Sequence, residues 1–497
     1  MAQFNNLALE LVLVIMMNVG VGEIVSFSQT CSRYRQLVMK TEILGNARDS
    51  DLLDLPLGIT LQTIDPETLF NVALDALALR HRISFADRLV SKRSDFMQFD
   101  ESRPDPTPIA ICHDVLLFPA YGLQALELVI LSGGGHQRTI SVPTPIPCFL
   151  HADIAVIENA VILAFLVGSE GSYHLHVKEI SMDQATFGTQ TTHVECIVPA
   201  LGDLYKLRVL IRDDHACVLG TQRTQPDVRP DTSFFACNWR KKKGISSLAY
   251  IANTIDQSWD LSYSAWADFS PIGNSVLFRH NIRHHRDPHI LVTELLIPDD
   301  EEMYPLDTVP VPEPTRTAIN PHPFICLHED DTSSVWLPDA RVVRMDDTGN
   351  IVVDVFADHS TVDSDSDSDS EDFRAPGGVP GTVERFTIRD STLKGLEPEV
   401  KTSRIAVKAL QSGLGSRMES IRLYPNRGQR NRHRSTKPLM LLAQAPHSLS
   451  EPRWLEMILP DGFGEAYRWR DIDYFHFDVS RGRLLMLTME GILRIQY

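Results

Sequence analysis

The stretch Arg344–Phe356, RMDDTGNIVVDVF, carries the pattern that decides the fold. A polar turn with a glycine lies between apolar runs, which is typical of a β-hairpin. Asp268–Phe278 (DFSPIGNSVLF) and Asp478–Leu487 (DVSRGRLLML) have the same arrangement. The three units therefore predict a repeated hairpin.

The spacing of these units predicts how the repeat is organised. Their glycines, Gly273, Gly349 and Gly482, are separated by about two and three units of roughly 40 residues. From Ile109 onward, short apolar runs recur between turn residues, and no helical pattern separates them. We therefore expect an all-β domain over 105–497, a β-propeller of about six to eight blades. Two β-sandwiches in tandem are the alternative.

The composition limits the class of protein. The chain has 497 residues, of which 43% are hydrophobic and 23% charged, values that are ordinary for a globular protein. Its net charge is −18. Phosphate backbones and anionic membranes repel such a surface, so we expect neither nucleic acid nor a membrane as a partner.

The cysteines and the apolar runs indicate a compartment. The seven cysteines are odd in number and scattered, which favours reduced thiols in the cytoplasm or nucleus. The apolar run Leu11–Met17 lacks the basic start and cleavage site of a signal peptide. No run approaches the ~20 apolar residues that a transmembrane helix needs.

The N-terminal stretch Leu7–Val38 has a different pattern from the rest of the chain. Its apolar residues recur at steps of three and four, which predicts short amphipathic helices. Gly20 and Gly22 interrupt the pattern, and Thr30 is a candidate N-cap for a third helix. Three helices in so few residues cannot bury their own apolar faces. We therefore expect them to lean on a partner or on the next domain.

The order of residues in this stretch resembles an F-box. The residues that carry the resemblance are Leu7, Glu10–Leu11, Ile15, Glu23–Ile24, Ser28, Cys31, Arg33–Tyr34–Arg35 and Leu37. Two positions depart from the usual motif, since Ala8 replaces a proline and Tyr34 replaces a tryptophan. The alternative is an unrelated three-helix cap on the main domain.

The F-box resemblance implies a partner and a role. F-box helices insert into a Skp-type adaptor of a cullin ubiquitin ligase, while the downstream domain binds the substrate protein. On this basis residues 1–45 are an F-box-like helical module. The resemblance implies adaptor contacts by Leu7, Leu11, Ile15, Ile24, Cys31, Tyr34 and Leu37.

Residues 46–104 are predicted to be a helical linker. Asp65-Pro66-Glu67 has the features of a helix start, with a capping side chain, a proline at the first position and an early carboxylate. The following helix presents a wide apolar stripe that includes Leu69, Ala73 and Leu79. Prolines in Glu101–Pro108 mark the boundary to the β domain.

Two charged insertions interrupt the β pattern. Residues 360–372, STVDSDSDSDSED, are expected to be disordered, because they have almost no apolar area to bury. Ser364, Ser366 and Ser368 each precede a carboxylate by three residues, a pattern that acidophilic kinases favour, so phosphorylation is a hypothesis. The basic loop 422–437 has the composition of a patch for an acidic partner, a nuclear-import signal or an RNA-binding segment, but a solvated loop is the simpler interpretation.

Candidate catalytic and metal residues are few. The cluster of His280, His284, His285 and His289 lacks the helical spacing of a zinc motif and lies among arginines. Residues 133–135 lack the lysine and helix of a phosphate loop. The carboxylate pairs Asp213–Asp214, Asp330–Asp331 and Asp346–Asp347 occupy turns between strands. We therefore predict no catalytic residue, no cofactor and no metal site.

The sequence thus predicts a multidomain chain and leaves three functions open. The first is a non-catalytic substrate-recognition subunit of an F-box-containing ubiquitin ligase, with an unidentified substrate protein. The second is a propeller scaffold for protein interactions without a ligase role. The third is a propeller glycoside hydrolase, whose paired carboxylates would have to lie a few ångströms apart.

Overall fold

The computed structural model describes the N-terminal helices and most strands of the β domain. The described residues are 8–16, 19–40, 43–47, 53, 55, 59, 61, 63–99, 107–120, 125–131, 137–144, 149–157, 159–169, 172–183, 185–199, 204–222, 231–249, 259–269, 274–284, 287–312, 322–323, 336–345, 351–358, 381–389, 399–407, 423–425, 439–443, 453–460, 474–478 and 481–497. The insertion 360–372 with its three serines, most of the loop 422–437, Leu7, His285 and residues 133–135 lie outside them.

The described N-terminal region contains four helices. They are α1 (Leu9–Met16), α2 (Val21–Ser28), α3 (Ser32–Val38) and α4 (Pro66–Phe85). One capping prediction is wrong. Cys31, not Thr30, is the N-cap of α3, and it makes no capping hydrogen bond through its side chain. The Thr30 hydroxyl instead donates to the Phe27 carbonyl at 2.7 Å, so Thr30 closes the end of α2.

The predicted start of α4 is confirmed. Asp65 precedes the helix in an extended conformation, and its carboxylate accepts a hydrogen bond from the Thr68 N–H at 2.9 Å. Pro66 occupies the first helical position, where no N–H is needed. The hydrogen bonds from Thr68 lower the pKa of Asp65 below its ordinary value. The carboxylate therefore stays charged at the positive end of the helix dipole.

The described strands form seven sheets. Two strands follow α4, β1 (Arg88–Val90) and β2 (Arg93–Gln98). The first sheet contains β3 (Ala110–Cys112), β4 (Val115–Pro119), β5 (Ala125–Leu131) and β6 (Gln137–Pro143). The second contains β7 (Phe149–Ile157), β8 (Ala160–Ser169), β9 (Ser172–Ser181) and β10 (Gln190–Val198). The third contains β11 (Leu204–Arg212), β12 (His215–Gln222), β13 (Asp231–Asn238) and β14 (Lys243–Ala249).

The remaining sheets follow the same order along the chain. The fourth contains β15 (Trp259–Phe269), β16 (Ser275–His284), β17 (Asp287–Leu296) and β19 (His322–Pro323), while β18 (Tyr304–Pro305) pairs with β14 in the third. The fifth contains β20 (Trp336–Met345), β21 (Ile351–Asp358), β22 (Gly381–Arg389) and β23 (Glu399–Val407). The sixth begins with β24 (Leu423–Pro425), β25 (Leu439–Ala443) and β26 (Arg453–Ile458), and the seventh with β27 (Tyr474–Asp478), β28 (Arg483–Leu487) and β29 (Gly491–Gln496).

The two strands after α4 complete the last two sheets. β1 pairs in parallel with β26, and β2 pairs antiparallel with β29. The outer strand of the final sheet, β2, therefore comes from the start of the β domain. Its pairing with β29 covers the exposed edge of β29 and joins the two ends of the domain. Both strands lie within the range 46–104 that the sequence assigns to a helical linker.

The first strands of the first four sheets lie side by side. β3 contacts β7, β7 contacts β11, and β11 contacts β15. Sheets of four or five mostly antiparallel strands, placed in chain order around their first strands, form a propeller-like arrangement. The predicted all-β, propeller-like domain is confirmed at this level.

A backbone hydrogen bond repeats in five of the described sheets. In each, the residue at the end of the third strand donates its N–H to a carbonyl in the turn between the first two strands. The pairs are Leu131 to Asp114, Met182 to Asn159, Trp239 to Asp214, Ile297 to Asn274 and Tyr497 to Gly482, at 2.7–2.9 Å. The recurrence of this bond shows that the sheets repeat one local design.

Candidate functional site

Helix α1 exposes an apolar face. Leu11, Val14 and Ile15 are 53%, 59% and 48% exposed. Positions three and four apart lie on one side of a helix, so the three side chains form one surface. The opposite side of the helix is buried, with Val12 and Met16 only 1% and 3% exposed. We call Leu11, Val14 and Ile15 the α1 face.

Helices α2 and α3 support this face from inside the helical domain. Ile24, Tyr34 and Leu37 are buried in the core that α1, α2, α3 and the first half of α4 share. The rings of Phe27 and Tyr34 are 4.1 Å apart between centroids, which joins α2 to α3. This packing fixes the position of α1 through Val12 and Met16.

The seven residues predicted to contact an adaptor divide into three groups. Leu11 and Ile15 lie on the α1 face. Ile24, Tyr34 and Leu37 are buried among the chain's own residues, and Cys31 is partly buried against the same core. Leu7 lies outside the described residues. Sequence reasoning missed Val14, although its step of three from Leu11 is a signal that could have found it.

Helix α4 connects the helical domain to the β domain. In its first half, Leu69, Phe70 and Ala73 pack with α1–α3. In its second half, Leu79 and Ile83 join a core formed by strands of the sixth and seventh sheets. The two halves therefore hold the α1 face in a fixed orientation relative to the β domain.

A polar cluster lies where α4 meets the β domain. Arg481 Nη1 is 2.6 Å from Asp114 Oδ2, and Arg483 bonds the other oxygen of the same carboxylate. Arg481 Nη2 also donates to the Leu55 carbonyl at 2.8 Å. The side chains of Asp114 and Arg481 are only 12% and 8% exposed. This cluster ties the last sheet to the first sheet and to the region before α4.

Buried cysteines show no sign of nucleophilic chemistry. Burial raises the pKa of the Cys196 thiol to about 12 and raises those of Cys217 and Cys237 well above the ordinary value. A thiol attacks only as the thiolate, so burial disfavours the reactive form of these three groups. None of the five described cysteines, which also include Cys31 and Cys112, forms a disulfide bond within the described part of the chain.

Among the described residues, no group of three or more histidine, cysteine, aspartate or glutamate side chains could hold a metal ion. The side chains of His280, His284 and His289, on β16 and β17, are outside this description. In the same described part of the chain, no helix is long and apolar enough to cross a membrane.

Carboxylates occur on the first strands of several sheets. Asp153 on β7 is 2% exposed, and its oxygens accept hydrogen bonds from the Ile154 N–H at 2.5 Å and the Ile211 N–H at 3.0 Å. Asp153 thereby joins the second sheet to the third. Asp260 and Asp339 lie near the beginnings of the first strands β15 and β20.

Several solved structures are similar to this chain at 9–10% sequence identity. An endo-arabinanase from Bacillus licheniformis matches 65% of this chain and 95% of its own, with a TM-score of 0.25. An α-L-arabinofuranosidase from Lactobacillus brevis matches 61% and 92%, with a TM-score of 0.26. A β-fructofuranosidase from Bombyx mori matches 85% and 95%, with a TM-score of 0.27.

No family model matches the sequence, and no curated protein matches it either. Two predictions are corrected by the solved structures. The chain was expected to be a substrate-recognition subunit of a ubiquitin ligase and not an enzyme. The three structures described above are instead glycoside hydrolases. Neither the ligase function nor the assignment as a non-enzyme is retained. At these TM-scores the resemblance assigns no activity to this chain.

Proposed function

We propose that this chain is a seven-bladed β-propeller protein that docks a partner protein through the α1 face. One observation carries the proposal, the exposure of Leu11, Val14 and Ile15 side by side on a helix whose other side is buried. An amphipathic helix with an exposed apolar stripe is a common recognition element, because a partner's groove can bury the stripe.

The seven sheets support the propeller part of the proposal. The first strands of the first four sheets are neighbours, and β2 completes the last sheet. The number seven falls within the range that the repeat length predicts. Many propellers present binding surfaces at the ends of their strands, so a second partner or ligand there is compatible with docking through α1.

The F-box resemblance supplies the first partner to test. A Skp-type adaptor is the partner that the resemblance implies, and Leu11 and Ile15 are two of the positions that carry it. The proposal concerns this docking step alone.

The experiment compares adaptor capture by the full chain and by variants of the α1 face. Leu11→Asp and Ile15→Asp place a charge where an apolar contact would be buried, so each should abolish binding. Gln36→Asp is the matched control, because Gln36 is an exposed residue of α3 away from the α1 face. The same thermal stability in all four proteins would show that the fold is retained. Equal capture by the Leu11→Asp variant and the native chain would refute the proposal.

A glycoside hydrolase activity is the second candidate, favoured by the aspartates on first strands. Asp153, Asp260 and Asp339 lie on the first strands of the second, fourth and fifth sheets. Glycosidases use two carboxylates, one as an acid and one as a nucleophile or base. The test is a screen with α-arabinosides and β-fructosides using the native chain. Turnover that Asp260→Asn or Asp339→Asn abolishes would support the activity, and no turnover would exclude it for these substrates.

A further inference from the structure

A cavity lies between α4 and the β domain. Its volume is about 320 Å³, and α4, the connection between β1 and β2, and the seventh sheet line it. This volume is at the lower end of the ~300–1,000 Å³ that small-molecule sites occupy. We call it the junction cavity.

Basic side chains outnumber carboxylates in its lining. Arg82, Lys92, Arg481 and Arg483 line the junction cavity, against the carboxylates of Asp75 and Asp114. The whole chain carries a net charge of −18, so a concentration of positive charge is contrary to its overall composition. Such a local excess calls for a specific explanation.

Two of the four cations are balanced inside the protein. Arg481 and Arg483 share the carboxylate of Asp114, and Arg481 also lies 3.8 Å from Asp478. These pairs hold the guanidinium groups in place at the wall of the cavity. These ion pairs explain why Asp114 lies at the cavity wall. They do not explain why Arg82 and Lys92 also line the cavity.

Lys92 and Arg82 form no ion pair with any described carboxylate. The backbone N–H of Lys92 donates to the Gln496 carbonyl at 2.7 Å, which fixes the chain at the cavity while the side chain is exposed. Arg82 Nε makes one long hydrogen bond, 3.4 Å, to the Ala78 carbonyl of its own helix. Both side chains line the same cavity, where the four cations exceed the two carboxylates of Asp75 and Asp114.

We propose that the junction cavity binds a small phosphate-bearing anion. Guanidinium groups match phosphate oxygens with paired hydrogen bonds, and a lysine adds a mobile charge. The apolar side chains Val72, Ala76 and Leu79 on the α4 wall would contact the uncharged part of such a molecule. The ligand would touch both α4 and the seventh sheet, so its binding would stabilise their junction.

The test measures binding of inorganic pyrophosphate to the full chain by calorimetry, with sulfate as the comparison for general salt effects. We expect saturable binding of pyrophosphate, tighter than that of sulfate. Lys92→Ala should weaken the affinity about tenfold, as the loss of one charge-assisted hydrogen bond does. Lys92→Arg should restore most of it. Asp75→Asn should strengthen it, because a repelling carboxylate is removed from the wall.

Lys242→Ala is the matched control, since Lys242 is an exposed lysine in the turn between β13 and β14, on a different sheet. It should leave pyrophosphate affinity unchanged. No saturable binding by the native chain would overturn the proposal. Equal losses in Lys92→Ala and Lys242→Ala would also overturn it, because the binding would then reflect general charge and not the junction cavity.

Discussion

Asp114 and Arg481 are 367 residues apart in the chain, yet their side chains form an ion pair of 2.6 Å at the junction of the first and last sheets. Arg483 bonds the same carboxylate, and all three side chains are less than a fifth exposed. One carboxylate therefore pairs with two guanidinium groups where the first and last sheets meet, and Asp478 lies 3.8 Å from one of them, Arg481.

Removal of this carboxylate should strongly destabilise the protein. Asp114→Asn would leave two largely buried guanidinium groups without their shared partner, at a cost of about 3 kcal/mol in the free energy of unfolding. Asp214→Asn is the control. Asp214 has the same place in the repeated turn of the third sheet, but its pair with Arg240 is about half exposed. The control should cost less than about 1 kcal/mol. Equal losses in urea denaturation would contradict this account.

Gly482 should be essential for the contact between α4 and the seventh sheet. Its φ is +61°, and a Cβ there would lie 2.7 Å from Leu79 Cδ1. Gly482→Ala should therefore cost about 1 kcal/mol from backbone strain, and more from the displacement of α4. Gly188→Ala separates the two effects, because its φ is +79° but its nearest neighbour is 3.8 Å from the added atom. It should show the strain alone.

The steric part of the Gly482 effect can be measured with a double-mutant cycle. Leu79→Ala removes the atoms that the new methyl group would meet. The combined loss in Gly482→Ala with Leu79→Ala should be smaller than the sum of the two single losses. Additive losses would mean that Leu79 does not limit this position.

His176 should make the stability depend on pH. It is 3% exposed, stacks on Phe165 at 4.8 Å between ring centroids, and its Nε2 has no hydrogen-bond partner among the described residues. Burial lowers the pKa of His176, and Glu195 opposes this shift only in part. Below about pH 6.5 the unfolded chain takes up a proton that the folded chain resists, so stability should fall.

The variant His176→Leu should reduce this loss of stability between pH 7.5 and 5, measured as the change in Tm. Some dependence should remain, because burial also lowers the pKa of His215. An unchanged pH dependence in the variant would show that His176 is not its source.

Asp95 should hold β2 in the seventh sheet. It lies opposite Arg494 on β29, at 2.9 Å, and it also contacts Arg93 at 3.0 Å. The hydrogen bond from Arg93, followed by the interactions with Arg494, lowers the pKa of Asp95. A lowered pKa means that this contribution is present above about pH 4 and is lost as the pH falls through the folded-state value.

The expected result for Asp95→Asn is faster hydrogen exchange in the amides of β2 at neutral pH, with little change in β3–β6. Arg93→Gln should have a smaller effect, because Arg93 is 60% exposed and Arg494 would still hold the carboxylate. Equal protection of β2 in the native protein and Asp95→Asn would contradict the role assigned to this pair.

Local sequence patterns were sufficient to predict helices in the N-terminal region and strands in the β domain. The start of α4 follows from Asp65 and Pro66, and alternating apolar runs predict the strands from Ile109 onward. Thr30 was misassigned because a hydroxyl can bond a carbonyl behind it as well as an N–H ahead of it. Sequence spacing does not distinguish the two cases.

The pairing of distant segments could not be predicted. β1 and β2 lie in a stretch that reads as a linker, and their partners β26 and β29 are more than 350 residues further along. The ion pairs of Asp114 with Arg481 and Arg483 could not be predicted for the same reason. No local pattern in the turn that carries Arg481 indicates that this turn contacts the first sheet. The distinction between Ile15, which is exposed, and Ile24, which is buried, also depends on how α1 and α2 pack together.

The attachment of α4 at both of its halves has a geometric consequence. An α-helix advances 1.5 Å and turns 100° with each residue. Insertion of a single residue between Leu77, which packs on the helical domain, and Leu79 would therefore turn that domain by about 100° about the axis of α4 while both cores kept their own contacts. The number of residues between these two contacts thus sets the direction in which a protein bound at the α1 face would lie relative to the β domain.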